Sequence, residues 1–241
     1  VGSAPRVQEL HRLGKLKLAG VKLLVLDEFD RLLGKQHLDE VRALLRLLPA
    51  ERQTLLLSAT AGASAVRMAE ELCAPRLIRV EGTDAAYENY YHIVPFRDKI
   101  KAVQKLTRRL PIKRGLVFVG RGFDAAHALE KLRFEGIKAV ALIGQERRDQ
   151  RRAALDAIRA GRAVLLISTD LAARGLDIED VDYVIHLDLP EDVRTYRHRA
   201  GRTARAGKAG AVISLVDEKE QGKLRTLAAR MEIELARLPR A

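Results

Sequence analysis

The feature that most constrains this chain is the regular return of short Val-, Ile- and Leu-rich runs between longer amphipathic stretches. VKLLVL (21–26), QTLLLS (53–58), LIRV (77–80), GLVFVG (115–120), KAVALI (138–143), AVLLIS (163–168), DYVIHLD (182–188) and GAVISLV (210–216) are such runs. Near-continuous apolar runs suit strands covered on both faces, which is the environment of a parallel sheet. Between them lie LDEVRALLRLL (38–48), SAVRMAEELC (64–73), KIKAVQKLTRRL (99–110), FDAAHALEKLRFEG (123–136), RRDQRRAALDAIRAG (147–161), VRTYRHRA (193–200) and EKEQGKLRTLAARM (218–231). Their apolar residues recur three and four apart, which predicts crossover helices. The fold class expected is α/β with parallel sheets. EGTDAAYENYYHIVPF (81–96) interrupts the series with polar, turn-rich sequence. Residues 81–89 therefore read as a linker between a short α/β unit, 1–80, and a longer one, 90–241.

A length of 241 residues suits one large domain or two small ones, and 47% hydrophobic with 32% charged residues suits a globular chain with a core. The net charge of +12 favours a polyanionic partner, nucleic acid before an anionic membrane surface. Aromatic residues make up only 4% and tryptophan is absent, so an aromatic platform for stacked bases is not expected. Any nucleic acid would be read mainly through its backbone. A single cysteine, Cys73, rules out an internal disulfide and a multi-cysteine metal site, and suits a reducing cytoplasm. No apolar run approaches the ~18 residues of a membrane span. The opening VGSAPR, without Met, reads as the middle of a longer protein.

In open parallel sheets ligands bind beyond the carboxyl ends of the strands. Asp27-Glu28-Phe29-Asp30 follows the first run. A carboxylate there can hold Mg²⁺ through water, and a second can take a proton from an attacking water. The same residues also fit a plain strand-to-helix turn with Asp30 as N-cap. Ser58-Ala59-Thr60 ends the second run, either bridging to those acids or forming an ordinary turn. After AVLLI comes STDLAARGLDI (168–178), where Thr169 can bond a phosphate and Asp177 a ribose hydroxyl; it also fits a connecting loop with Asp170 capping a short helix.

GRTARAGKAG (201–210) imitates a phosphate loop, G-x-x-x-x-G-K-[ST], and fails as one. The spacer between Gly201 and Gly207 is too long, Ala209 cannot ligate a metal, and no apolar strand precedes it. Arg202 and Arg205, three apart, would share a face if helical. Paired guanidinium groups match phosphate geometry and can stabilise a phosphoryl group in transfer. A solvated basic helix is the open alternative.

Together these stretches resemble the DEAD-box family of superfamily 2 RNA helicases. DEFD stands where the family has D-E-A-D, SAT is unchanged, and STDLAARGLDI and HRAGRTARAG are similar to its fifth and sixth motifs. VGSAPRVQEL, LVFVG (116–120) and IGQERRDQRR (143–152) are weaker matches to further family segments. The resemblance implies two RecA-like domains, the first incomplete because its phosphate-loop half is missing from these residues, and the second complete. It implies ATP and Mg²⁺ as cofactors, RNA as partner (single-stranded or duplex), a monomer, and a cytoplasmic location without membrane contact. The activity implied is ATP hydrolysis coupled to local RNA unwinding or ribonucleoprotein remodelling. The alternative is a non-hydrolytic RNA-binding or regulatory remnant.

Residue by residue, the resemblance gives Asp27 to Mg²⁺ and ATP, and Glu28 to the attacking water as general base. Arg202 and Arg205 become arginine fingers, and Gly175 and Asp177 lie near the ribose. Asp30, Ser58, Thr60, Arg174 and His198 couple the domains. Ser3, Arg6, Gly144, Arg151 and Thr169 follow the RNA backbone. The departures are Phe29 for Ala, which adds bulk beside the acids, Ala204 for Gly between the fingers, Gly120 for Asn, and Ile143, Gln145 and Arg148 in the RNA segment. No phosphate loop or upstream adenine-reading glutamine segment occurs in the 241 residues. By the same resemblance, strand 53–57 is left with an open apolar edge.

Overall fold

The structure, a computed structural model, describes every residue except 59, 60, 74, 75, 77, 79–86, 121, 145, 174–177, 179, 180, 205–207 and 239–241. It divides into two compact units, Val1–Val80 and Glu81–Ala241.

The first unit contains α1 (Ala4–Arg12), β1 (Leu23–Asp27), α2 (Phe29–Leu32), α3 (Leu38–Leu47), β2 (Gln53–Leu57) and α4 (Ala63–Cys73). β1 and β2 pair in parallel, Leu23 opposite Gln53 through Asp27 opposite Leu57. One face of this pair is covered: Leu26 joins Phe29, Leu33, Val41 and Ala69 in a small core. Leu18, Leu44 and Leu48 form a second cluster beside it. The other face is open. Leu23, Val25, Leu55 and Leu57 are 51%, 46%, 39% and 50% exposed. Successive strand residues point to opposite faces, so these four share the uncovered side. Among the described residues β2 has no strand partner besides β1. The strand expected at 77–80 falls largely outside the described residues.

The second unit is built on a parallel sheet in the order β5-β6-β4-β7-β8-β3-β9. Its strands are β3 (Tyr87–Ile93), β4 (Gly115–Phe118), β5 (Ala139–Leu142), β6 (Leu165–Ser168), β7 (Tyr183–His186), β8 (Gly210–Val216) and β9 (Ala236–Arg237). Its helices are α5 (Lys99–Arg109), α6 (Ala125–Phe134), α7 (Arg148–Arg159), α8 (Asp170–Ala173), α9 (Val193–Ala200) and α10 (Gln221–Met231). Here the apolar runs are covered on both sides. Leu116 and Phe118 of β4 enter one core cluster, while Val117 and the following Val119 enter the other. The parallel α/β class expected from the sequence is the observed one. Lys99, fully buried, joins the start of α5 to that of α10: it donates to Glu220 at 2.6 Å and to the Leu187 carbonyl at 3.1 Å.

The expected linker 81–89 needs correction. Tyr87 to Ile93 form β3, paired with β8 from Tyr87 opposite Gly210 to Ile93 opposite Val216. Residues 87–89 are therefore sheet, not linker. Among the described residues β3 has only the two-residue β9 beyond it, and it is half-buried, so it carries tyrosines and polar residues instead of an aliphatic run. Tyrosine on a half-buried pleated surface is a good strand former.

Candidate functional site

The acids of the first unit sit where β1 ends. Asp27, its last residue, is exposed, and its Oδ1 accepts the Glu28 N–H at 2.9 Å. Glu28 is left-handed, with φ 52 and ψ 44, and is the N-cap position of α2. A residue with a Cβ adopts this conformation at a cost of about 1–2 kcal/mol. Asp30 lies in the first turn of α2, not at its N-cap. Phe29 corrects an expectation. Its ring is 7% exposed and buried with Leu26, Leu33 and Val41, so its bulk goes into the small core and not beside the acids. Asp30 and Ser58 are half-buried, and each has a partner. Thr60 lies outside the described residues.

Among the described residues no group of three or more His, Cys, Asp or Glu could hold a metal ion. Asp27 offers one exposed carboxylate. That donor set suits a Mg²⁺ that keeps its waters and takes further ligands from substrate phosphates. Ser3 and Arg6 lie at the start of α1, a helix the sequence reading did not foresee; Pro5 occupies its first turn. Arg6 is paired with Glu9 at 2.6 Å on the surface.

In the second unit β6 and β7 flank β4, so the chain changes its direction across the sheet there. Carboxyl ends of strands at such a point are where open α/β sheets take ligands. A small cavity of about 40 Å³ lies there, lined by Phe118, Asp170, Thr195, His198, Arg199 and Arg202, with Ala173. His198 and Arg202 are thus brought together. Helix α9 ends at Ala200 with Gly201 as its C-cap, so Arg202 stands in the following turn. The helical face expected for Arg202 and Arg205 is not what holds Arg202. Arg205, Arg174, Gly175 and Asp177 lie outside the described residues. Ala204 has φ 54, a left-handed conformation that glycine adopts more readily than alanine.

The cavity is organised by a pair that the sequence reading missed. Arg199, 3% exposed, binds Asp170 with both ends of its guanidinium, Nε at 2.6 Å and Nη2 at 2.8 Å. Its Nη1 donates to the Asp188 carbonyl at 2.7 Å, and its plane lies 4.8 Å from the centre of the Phe118 ring. A bidentate, stacked guanidinium is the geometry for which Arg and not Lys is suited. The pair fixes the start of α8 against the last turn of α9. Behind it His186 is fully buried, with Nδ1 3.1 Å from Ser214 Oγ. Burial first, and the nearby Arg199 charge second, hold its imidazole well below the ordinary histidine pKa.

A second corner lies at the ends of β5 and β6. Gly144 has φ 100, Thr169 Oγ1 is 3.5 Å from the Ile143 carbonyl, and Arg151 donates to the Ala172 carbonyl at 3.2 Å. Gly144, Arg151 and Thr169, expected along RNA, therefore gather in one place. A wider groove of about 430 Å³ between α5 and α6, lined by Arg97, Lys101, Gln104, Lys131 and Phe134 among others, carries none of the candidate residues.

Two family models match the chain: DEAD/DEAH box helicase over residues 1–69 and helicase conserved C-terminal domain over residues 98–207. A DEAD-box ATP-dependent RNA helicase, CshC of Bacillus cereus, is 37% identical over 97% of this chain and 60% of its own length. The chain also matches Escherichia coli SrmB, a DEAD-box protein solved with the regulator of ribonuclease activity RraA. That match is 32% identical, with a TM-score of 0.60, over 64% of this chain and 91% of SrmB's. The chain belongs to the DEAD-box helicase family. Saccharomyces cerevisiae Dbp5 bound to RNA and ADP BeF3 superposes on 99% of this DEAD-box chain, with a TM-score of 0.89 and 31% identity, using 65% of the Dbp5 chain. The probable ATP-dependent RNA helicase YfmL of Bacillus subtilis is 37% identical over 98% of the chain and 63% of its own length. The DEAD-box chain thus spans about 60% of the length of the curated relatives it matches.

Proposed function

We propose that these residues are the part of an ATP-dependent RNA helicase that carries the hydrolytic acids and the arginine fingers. ATP hydrolysis would drive local RNA unwinding or ribonucleoprotein remodelling. The observation that carries this reading is Glu28, a left-handed non-glycine residue directly after Asp27 at the carboxyl end of β1. Strain of this kind concentrates at functional sites. Glu28 takes the proton of the attacking water, Asp27 holds the hydrated Mg²⁺, and Arg202 with Arg205 stabilises charge on the transferred phosphoryl group. When bound, Mg²⁺ supplies charge neutralisation between the phosphates. Asp30, Ser58, Thr60, Arg174 and His198 couple the nucleotide site to the other domain. Gly175 and Asp177 face the ribose. Ser3, Arg6, Gly144, Arg151 and Thr169 hold the RNA backbone. The protein acts as a monomer in the cytoplasm, away from membranes; no described helix is long and apolar enough to cross one.

The 241 residues contain no G-x-x-x-x-G-K-[ST] segment. Alone they are expected to hydrolyse ATP negligibly, with or without RNA. In a chain that also carries a phosphate-loop strand and helix, RNA-stimulated turnover is expected, and Glu28→Gln should lower it by at least ~10²-fold. Turnover by the 241 residues alone overturns the incompleteness; turnover indifferent to Glu28→Gln overturns the role of Glu28. The charge of +12 favours, as a second reading, RNA binding without hydrolysis. Such binding weakens with salt by roughly 0.7–0.9 powers of ten per decade for each phosphate neutralised.

A further inference from the structure

The corner that gathers Gly144, Arg151 and Thr169 already holds an anion. Glu146 Oε1 accepts the Ile143 N–H at 2.5 Å, and its Oε2 accepts the Gly144 N–H at 2.9 Å. Two backbone N–H groups converging from one turn form a concavity suited to an anion. The two carboxylate oxygens occupy it as two phosphate oxygens would. Thr169 Oγ1, near the Ile143 carbonyl, also accepts the Ala172 N–H at 3.3 Å, and Arg151 bonds the carbonyl of the same Ala172. Loop, helix α7 and helix α8 therefore meet around Glu146. Partial burial pushes its carboxyl up. The N–H groups of Ile143, Glu146 and Gly144, together with the Arg151 charge, outweigh that and hold it below the ordinary glutamate range. It stays ionised at neutral pH and keeps the concavity filled.

We propose that Glu146 is an internal competitor for an RNA phosphodiester: its carboxylate takes the Ile143 and Gly144 N–H groups that the RNA backbone must take. This rests on the reading that Gly144, Arg151 and Thr169 face RNA. RNA binding then displaces Glu146, and the affinity of this corner is set by that exchange. Any single negative charge near RNA weakens binding, so the proposal needs a control of equal charge. Asp149 supplies it: three residues on, its side chain is 68% exposed and bonds Arg147 at 3.2 Å.

The test is the affinity of a labelled single-stranded oligouridylate for the 241-residue chain at low salt, by fluorescence anisotropy. Amide resonances of Ile143 and Gly144 are followed in the same titration. Glu146→Ala is expected to tighten binding about three- to tenfold, and Asp149→Ala by less than about twofold. Glu146→Gln, which keeps an acceptor but no charge, should fall between. In the unsubstituted chain both amide resonances should move as carboxylate is exchanged for phosphate. Equal tightening by Glu146→Ala and Asp149→Ala leaves only general charge and overturns the proposal. Weaker binding by Glu146→Ala, or amides that stay still while RNA binds, makes Glu146 a loop organiser and also overturns it. If no variant binds RNA at low salt, the reading of this corner as an RNA site falls, and the proposal with it.

Discussion

Two parallel sheets in this chain are made from runs of similar composition, and their surroundings differ. VKLLVL and QTLLL in the first unit are as apolar as GLVF or AVLLIS in the second. Yet β1 and β2 expose Leu23, Val25, Leu55 and Leu57, while Leu116, Leu165, Leu166 and Ile167 are at most 1% exposed. A strand run thus announces that it can be covered on both faces, not that it is. The stabilisation comes from the area actually removed from water, about 25 cal/mol per Å². Truncating a strand residue should therefore cost far more in the second unit than in the first, and the second unit should unfold at higher denaturant.

The largest effect should come from truncating a strand residue on a covered face. Leu166→Ala is expected to cost about 2–5 kcal/mol, from lost transfer energy and a residual cavity. Leu55→Ala, on the uncovered face, should stay within about 0.5 kcal/mol. Urea midpoints of the two variants test this. A large loss for Leu55→Ala would mean that the open face is covered in solution.

The two units also hold two arginine–carboxylate pairs of equal length. Arg6–Glu9 and Arg199–Asp170 both measure 2.6 Å. The first is exposed at both ends, with side chains 58% and 42% accessible; in the second, Arg199 is 3% accessible. Arg6→Ala should change stability by less than about 0.5 kcal/mol. Arg199→Ala should cost about 2–4 kcal/mol, less than for a fully buried pair because Asp170 keeps some water. Its loss also frees Phe118 and the Asp188 carbonyl. Arg199→Lys should recover only part of the loss, since a lysine can neither bond bidentately nor stack as a plane. Full recovery would show that charge alone matters at this position.

How far the sequence reaches is clear from these residues. Periodicity located β8 because GAVISLV is covered on both faces and shows no polar alternation. It missed the start of β3 because a half-covered strand next to a two-residue edge tolerates Tyr, Glu and Asn. The motifs put Asp27 and Glu28 at a strand end, and His198 and Arg202 in and just past a helix. They gave no sign of the Arg199–Asp170 pair, whose members lie 29 residues apart and meet only because β6 and β7 both flank β4. The direction of Phe29 was equally hidden, since one residue of rotation decides between the acids and the core. Glu146 was passed over inside a stretch read for its similarity to an RNA segment.

A smaller effect separates the units by pH. His186 is buried and held neutral by its surroundings, so below its ordinary pKa of 6.5 the unfolded chain binds a proton that the folded chain refuses. A depressed folded-state value means stability that is present above that pH and lost as pH falls. The loss can reach about 1.4 kcal/mol per pH unit from roughly pH 6.5 downward. It belongs to the second unit, so its urea midpoint should fall between pH 6.5 and 5 with a slope that His186→Gln removes. An unchanged slope in the variant would assign the pH dependence to other groups.

The smallest expected effect concerns the turn that carries Arg202. Thr203 Oγ1 donates to the Val181 carbonyl, and Val181 and Thr203 form an isolated bridge. Gly210 passes so close that a Cβ there would collide with Thr203 Oγ1 and the Ala204 N–H. Held between these contacts, Ala204 is left-handed at φ 54 although it carries a Cβ. That conformation costs about 1–2 kcal/mol for a non-glycine residue, while glycine brings a more flexible unfolded chain worth about 0.5–1 kcal/mol. Ala204→Gly should therefore raise the stability of the second unit by about 0.5–1 kcal/mol, read as a higher urea midpoint. A lower midpoint would mean that the Ala204 methyl, buried at 5% exposure, contributes more by packing than its backbone loses by strain. The strained turn would then be held in place by its own side chain as well as by Thr203 and Gly210.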